Sequence, residues 1–131
     1  MKLRLPLVMA TAVLAGLVAL PVQSADATTR SVHVISGQGA ALCNDGFVCL
    51  YENYGLNRPV NGRVMLADEN VDWMSDYGFD KIISSVCNHT GTAVTLFSQP
   101  AYEGTSFTVP SGHCTDVPAA FNDQTSSMML N

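Results

Sequence analysis

The sequence predicts an all-β fold: two Greek-key units packed together as a small β-sandwich and linked by disulfides. Three observations lead there. The closing stretch Phe121-Asn122-Asp123-Gln124-Thr125-Ser126-Ser127-Met128 is echoed upstream as Phe79-Asp80-Lys81-Ile82-Ile83-Ser84-Ser85-Val86, so one supersecondary unit occurs twice. A unit of roughly forty residues cannot hold a core alone, and two copies must pack on each other. The apolar runs are short and bounded by turn residues, with no amphipathic helical stripe of useful length. Finally, four cysteines follow what reads as an export signal, the setting in which small domains are stapled by disulfides.

In chain order, residues 1–27 read as a signal peptide. Lys2 and Arg4 supply the positive start, residues 5–20 form an uncharged apolar run, Pro21 ends it, and Ala25-Asp26-Ala27 offers a small-x-small cleavage site. The run is short for a membrane span. The mature protein is therefore expected to be secreted, extracellular and free of the membrane. Residues 28–42 are expected as a loosely ordered N-terminal extension, although Ser31-Val32-His33-Val34-Ile35 has edge-strand character. The domain proper is residues 43–131, with motif one at 43–90 and motif two at 91–131.

The net charge is −5, and of the eleven Asp and Glu only Asp26 precedes the extension. Phosphate binding needs a basic face, so no nucleic-acid partner is expected. An acidic surface suits cations or a basic partner.

Phe47-Val48-Cys49-Leu50-Tyr51 opens the domain as a strand. Residues 52–62 form a loop carrying Gly55, Asn57, Pro59 and Asn61-Gly62, and Arg63-Val64-Met65-Leu66 is the second strand. Residues 67–78 are acidic around Trp73, the one tryptophan, and read as a loop with one helical turn. Trp73 itself is read first as a plug over the core and second as an exposed anchor for a partner. Residues 82–87 close the first unit. In the second, Ala93-Val94-Thr95-Leu96-Phe97, the alternating Thr105-Ser106-Phe107-Thr108-Val109, residues 113–117 and residues 125–130 supply four more strands.

Four cysteines allow three pairings. Cys43 and Cys49 flank Asn44-Asp45-Gly46, a turn signal that brings their backbones within bridging range. Pairing them leaves Cys87 with Cys114, a loop whose closure is worth about 3 kcal/mol in the chain-entropy account.

Phe97-Ser98-Gln99-Pro100-Ala101-Tyr102-Glu103-Gly104, followed by residues 122–127, resembles the signature of a βγ-crystallin Greek key. The resemblance spans residues 43–131. It implies a folded hairpin at the aromatic pair, a glycine in a conformation closed to other residues, and a serine pinning the hairpin. The first unit departs from the pattern, with Leu56 where Tyr102 stands and Arg58 where Gly104 stands, so its hairpin is expected to be built through Tyr54-Gly55. Val48-Cys49-Leu50-Tyr51-Glu52-Asn53, Trp73 with Ser75-Asp76-Tyr77-Gly78-Phe79, and Ser84-Ser85-Val86 with Asn88 and Thr90-Gly91 resemble the secreted actinobacterial peptidase inhibitor family 36, which is metalloproteinase-inhibitor-like. Membership implies inhibition of a peptidase; the chain is expected to be a non-catalytic monomer that blocks a secreted metallo- or serine-type protease with a rigid loop. Residues 53–62 and 69–78 are the candidate loops, with Asn53, Tyr54, Leu56, Asn57, Arg58, Trp73, Met74 and Tyr77 as contacts.

The crystallin resemblance also implies calcium. The motif of two Asn/Asp, two variable residues, Ser/Thr and Ser is complete at residues 122–127, where Asn122, Asp123, the Gln124 carbonyl and Ser126 offer hard oxygens. The first copy offers Asp80 and Ser84, but Lys81 puts an ammonium where a carboxylate would face the dication. A calcium-binding structural or binding module of the cell exterior is thus the alternative function. Zinc is the rival metal, from Cys87-Asn88-His89 and His113-Cys114. Strand neighbours point to opposite faces, however, and exported cysteines are expected to be bridged. An enzyme is not expected: His33, His89 and His113 are the only histidines, no G-x-S-x-G elbow occurs, and Asp68 with Glu69 reads as a solvated acidic face. Asn88-His89-Thr90 matches a glycosylation sequon.

Overall fold

The computed structural model describes residues 31–131 together with Gly16. Apart from Gly16, the signal peptide expected at residues 1–27 lies outside these. The described chain is two antiparallel sheets face to face. Val32–Gly37 (β1), Val48–Tyr51 (β2), Gly62–Ala67 (β3), Ser85–Asn88 (β4) and Cys114–Asp116 (β7) make one sheet, ordered β1-β3-β2-β4-β7. Val94–Gln99 (β5), Glu103–Val109 (β6) and Ser127–Leu130 (β8) make the other, ordered β6-β5-β8.

Each motif runs as a Greek key. A hairpin (β2–β3 or β5–β6) is followed by a segment that crosses to the opposite sheet, and a last strand (β4 or β8) returns beside the first. In motif two the crossing segment is β7, which pairs with β4. In motif one it is reduced to one bridge, Val71 to Met128. The reason is compositional: Val71 is buried, while its neighbours Asn70 and Asp72 are polar and exposed, so only one residue of that stretch gains by lying on the sheet.

The segment expected as a loose extension is instead a strand from residue 32. β1 pairs along its whole length with β3, from Val32 opposite Ala67 to Gly37 opposite Gly62. The open edge of β3 supplies the ladder, and Asp68 accepts a hydrogen bond from the Ser31 amide at 2.7 Å.

The continuous apolar run of β2 is explained by burial on both faces. Val48 and Leu50 point between the sheets with Met65, Phe79, Ile83, Val86, Leu96 and Met128. Cys49 and Tyr51 point outward, where they join Cys43, Val64, Leu66 and Cys87 in a second cluster roofed by Ala40, Leu42 and Phe47. The disulfides are Cys43–Cys49 and Cys87–Cys114, the pairing the turn signal pointed to. The first clamps the roof onto β2. The second joins directly opposed residues of β4 and β7. Beneath the roof the Tyr51 hydroxyl donates to the Gly39 carbonyl at 2.9 Å, and burial pushes the phenol up to about 12.

Candidate functional site

The two hairpins are pinned by the same device. Ser127 Oγ donates to the Gln99 carbonyl at 2.6 Å and accepts from the Tyr102 amide at 3.0 Å. Ser85 Oγ does the same in motif one, donating to the Asn53 carbonyl at 2.6 Å and accepting from the Leu56 amide at 3.0 Å. The second member of each Ser-Ser pair is thus a buried two-handed clamp. In the second hairpin Gly104 has φ +83°, and a Cβ there would collide with the Ser98 hydroxyl, so only glycine fits. In the first hairpin Arg58, in the matching position, is extended. The left-handed residues there are Gly55, Leu56 and Asn57, so the departure from the crystallin pattern does reshape this turn around Gly55.

The loop 53–62 is tied down at many points. The Gly55 amide donates to Asp116 Oδ1 at 2.8 Å, and the Gly39 amide donates to the Leu56 carbonyl at 2.8 Å. Asn57 is buried and works from inside: Oδ1 accepts from the Asn53 amide, while Nδ2 donates to the Gly37 and Arg63 carbonyls. Leu56 is half-buried against the roof cluster. Asn53, Tyr54 and Arg58 are exposed. Beyond them Val60 stands 71% exposed, a residue absent from the sequence-based contact set. Its signal was available: an apolar side chain in a Pro/Asn/Gly loop has no strand pattern to join.

The loop 69–78 corrects the first reading of Trp73. The indole is 49% exposed, and the fully buried plug is its neighbour Met74. A 3-10 turn over Met74–Tyr77 sets this: with the Met74 amide donating to the Ser126 carbonyl at 2.9 Å, that side chain goes down. Trp73 and Tyr77 are left outside. Arg63 ties the feet of both loops, donating from Nη1 to the Gly78 carbonyl and from Nη2 to Glu52, while its guanidinium carbon lies 5.5 Å from the centre of the Phe79 ring. The Arg63 backbone amide, donating to Glu52 Oε2 at 2.9 Å, and after it the Nη2 bond lower the Glu52 carboxyl below its usual range. Higher up, the loops rest on different elements. Residues 54–57 lie against β4 and β7, whereas the Asp72 carbonyl accepts from the Ala101 amide of the other hairpin at 2.9 Å.

The expected calcium ligands are arranged across the motifs. Ser84 Oγ donates to Asp123 Oδ1 at 3.4 Å, and Ser126 Oγ donates to Asp80 Oδ1 at 2.5 Å. Asp123 is therefore partnered by the serine of the other copy, not by Ser126. The Gln124 amide donates to the Phe121 carbonyl. Asn122 Oδ1 is a buried acceptor with no donor among the described residues. Lys81 and Asp123 occupy matching left-handed positions, and the Lys81 ammonium donates to the Ser98 carbonyl at 3.2 Å. The Asn122–Asp123 side offers only oxygen donors, as a hard cation requires, whereas the Asp80 side carries the Lys81 ammonium in the position that Asp123 holds.

Among the remaining candidates, the structure brings Cys87, His89 and Cys114 together and leaves His113 out, its Nδ1 facing the Ser111 carbonyl at 3.1 Å. Both cysteines are in the disulfide, which displaces the zinc reading as first made. The sequon is also closed: Asn88 is buried and its amide nitrogen is committed to the Thr92 and Val109 carbonyls. Among the described residues no helix is long and apolar enough to cross a membrane.

A structure concerned with the evolution of the eye-lens βγ-crystallin domain fold superposes with a TM-score of 0.62 at 23% identity, covering 76% of this chain and 97% of that one. A βγ-crystallin from Ciona intestinalis gives 0.57 at 19%, covering 65% and 99%, and an archaeal βγ-crystallin gives 0.54 at 18%, covering 67% and 100%. Identities this low speak for the fold. No curated protein matches the chain. The sequence model of peptidase inhibitor family I36 matches residues 37–109, a span that takes in both clamped loops and more than half of the sequence. On that match, the chain belongs to peptidase inhibitor family I36.

Proposed function

We propose that the protein is a secreted inhibitor that occupies a protease cleft with the loop 53–62, Val60 leading. The observation that carries this reading is the combination found in that loop: a backbone fixed over residues 53–57 by Ser85, Asp116, Asn57 and the Gly39 amide, followed by the largely exposed apolar side chain of Val60. Preorganisation of this kind reduces the ordering cost of binding, and an exposed apolar tip suits the hydrophobic subsite of a metallo- or serine-type peptidase. The test is titration of the purified protein against thermolysin-type and subtilisin-type peptidases. Inhibition of one class is expected, weakened about tenfold or more by Val60→Asp and unchanged by Val34→Asp on β1. No slowing of either class at micromolar protein rejects the function. Equal inhibition by Val60→Asp rejects the loop.

A second reading is favoured by the orphan acceptor Asn122 Oδ1: a calcium-binding module, with Asp123 and Ser84 beside Asn122 as the residues that would hold the ion. Calcium would supply a rigid oxygen-coordinated tie between the motifs. Millimolar calcium is then expected to raise the melting temperature, and Asp123→Ala to abolish the rise. An unchanged melting curve rejects it.

A further inference from the structure

The residues around the exposed end of the second disulfide form more than a cross-link. His89 Nδ1 lies 2.7 Å from the Cys43 carbonyl oxygen. A carbonyl only accepts, so Nδ1 carries the proton and the lone pair of the neutral ring is on Nε2. That nitrogen faces Cys114 Sγ at 3.9 Å, and Nε2, Cys87 Sγ and Cys114 Sγ all lie within 4.8 Å of one another. A backbone carbonyl fixing the far nitrogen of an imidazole is the usual second-layer support of a metal-bound histidine.

We infer that opening the Cys87–Cys114 disulfide converts this corner into a Cys₂His site for a thiophilic divalent cation, zinc above all. The geometry is close to the requirement. Tetrahedral zinc with Zn–S about 2.3 Å and Zn–N about 2.0 Å places nitrogen and sulfur about 3.6 Å apart and the two sulfurs about 3.8 Å apart. The nitrogen-to-sulfur distance is nearly there already, and the sulfurs need only relax from a bond to contact. Because Cys87 and Cys114 are cross-strand partners in the β4–β7 ladder, the backbone keeps them opposed once the bond is gone. The fourth position is left for water.

The reductant is a dithiol. One thiolate attacks Cys114, which is exposed whereas Cys87 is buried. The Cys87 sulfur leaves as thiolate, and the second thiol resolves the mixed disulfide. Two electrons pass to the protein and the reductant departs as its cyclic disulfide. Zinc then takes two thiolates and Nε2, and any thiol proton goes to solvent. Cys43 and Cys49 are both buried and are reached more slowly, so the carbonyl that orients His89 stays in place.

The purified protein is reduced with a dithiol, freed of reductant under inert gas, and titrated with Co²⁺ as a spectroscopic probe. One equivalent is expected to give a thiolate-to-cobalt charge-transfer band and the visible bands of tetrahedral cobalt, displaced by zinc and absent from the oxidised protein. Zinc is expected to slow alkylation of Cys87 and Cys114, mapped by peptide mass, about tenfold or more. His89→Ala should weaken binding at least about tenfold, and His113→Ala should leave it unchanged. A missing cobalt band overturns the inference. So does a band equally strong in His89→Ala, protection mapped to Cys43 and Cys49, or a reduced protein whose β far-UV signal is lost and not restored by zinc.

Discussion

Ser85→Ala separates loop rigidity from global stability. The hydroxyl is buried and makes two hydrogen bonds to the 53–56 turn, at 2.6 and 3.0 Å. Each is worth about 1 kcal/mol net. The Asn53 carbonyl belongs to an exposed residue and regains water, but the Leu56 amide is half-buried and is left short of a partner, which adds part of a desolvation penalty. The sum is about 2–3 kcal/mol. With a urea m-value near 1.2 kcal/mol/M for a domain this size, the unfolding midpoint should fall by about 2 M. Ser127→Ala removes the equivalent pair from the other hairpin and should cost a similar amount. Inhibition should distinguish them: Ser85→Ala loosens the loop bearing Val60 and raises the inhibition constant about tenfold, while Ser127→Ala leaves it near the parent value. A midpoint shift under about 0.4 M for Ser85→Ala would refute the clamp. Equal effects of both variants on inhibition would refute the link between clamp and loop.

Met74→Ala should destabilise by about 2–5 kcal/mol because the side chain is fully buried, whereas Trp73→Ala should change stability by less than about 1 kcal/mol; urea unfolding of the two compares them directly. Tyr51 ionises in the unfolded chain near 10 and in the folded protein near 12. A raised phenol favours the folded state while neutral, so that contribution is intact below pH 10 and is lost as pH rises toward 12; Tyr51→Phe should flatten this decline in a series of alkaline unfolding curves. Replacing both Cys43 and Cys49 by serine should cost about 2 kcal/mol in the chain-entropy account and release the roof over Tyr51, seen as faster amide exchange at the Gly39 and Cys43 amides.

Much of this architecture could be read from residue order. The Phe79 and Phe121 repeats marked the two closing strands because the second serine of each pair pins a hairpin by the same two hydrogen bonds. The Asn-Asp-Gly turn marked the first disulfide. What was hidden depended on where side chains go once a turn is set. Nothing local distinguishes Trp73 from Met74 as the buried one; the hydrogen bond from the Met74 amide to Ser126 decides it across a long separation. Asn57 resembles any polar loop residue, yet it is buried because Gly37 and Arg63 present carbonyls to it. β1 was legible only as an edge-strand tendency, since its partner is a strand edge formed by residues thirty positions on. The Ser84–Asp123 and Ser126–Asp80 contacts cross between copies, a pairing that depends on how the two motifs pack and that position within one motif does not display.

The exchange of crossing segments has a consequence for how the molecule comes apart. β7 of the second motif completes the sheet of the first, and Val71 of the first borders β8 of the second. Severing the chain between residues 90 and 91 and reducing the Cys87–Cys114 disulfide that spans the cut would give two fragments, each holding a piece that belongs in the other. Neither should fold alone, and mixed together they should reassemble. The gene-level repeat is therefore not a folding unit, and denaturation should proceed in one concerted step.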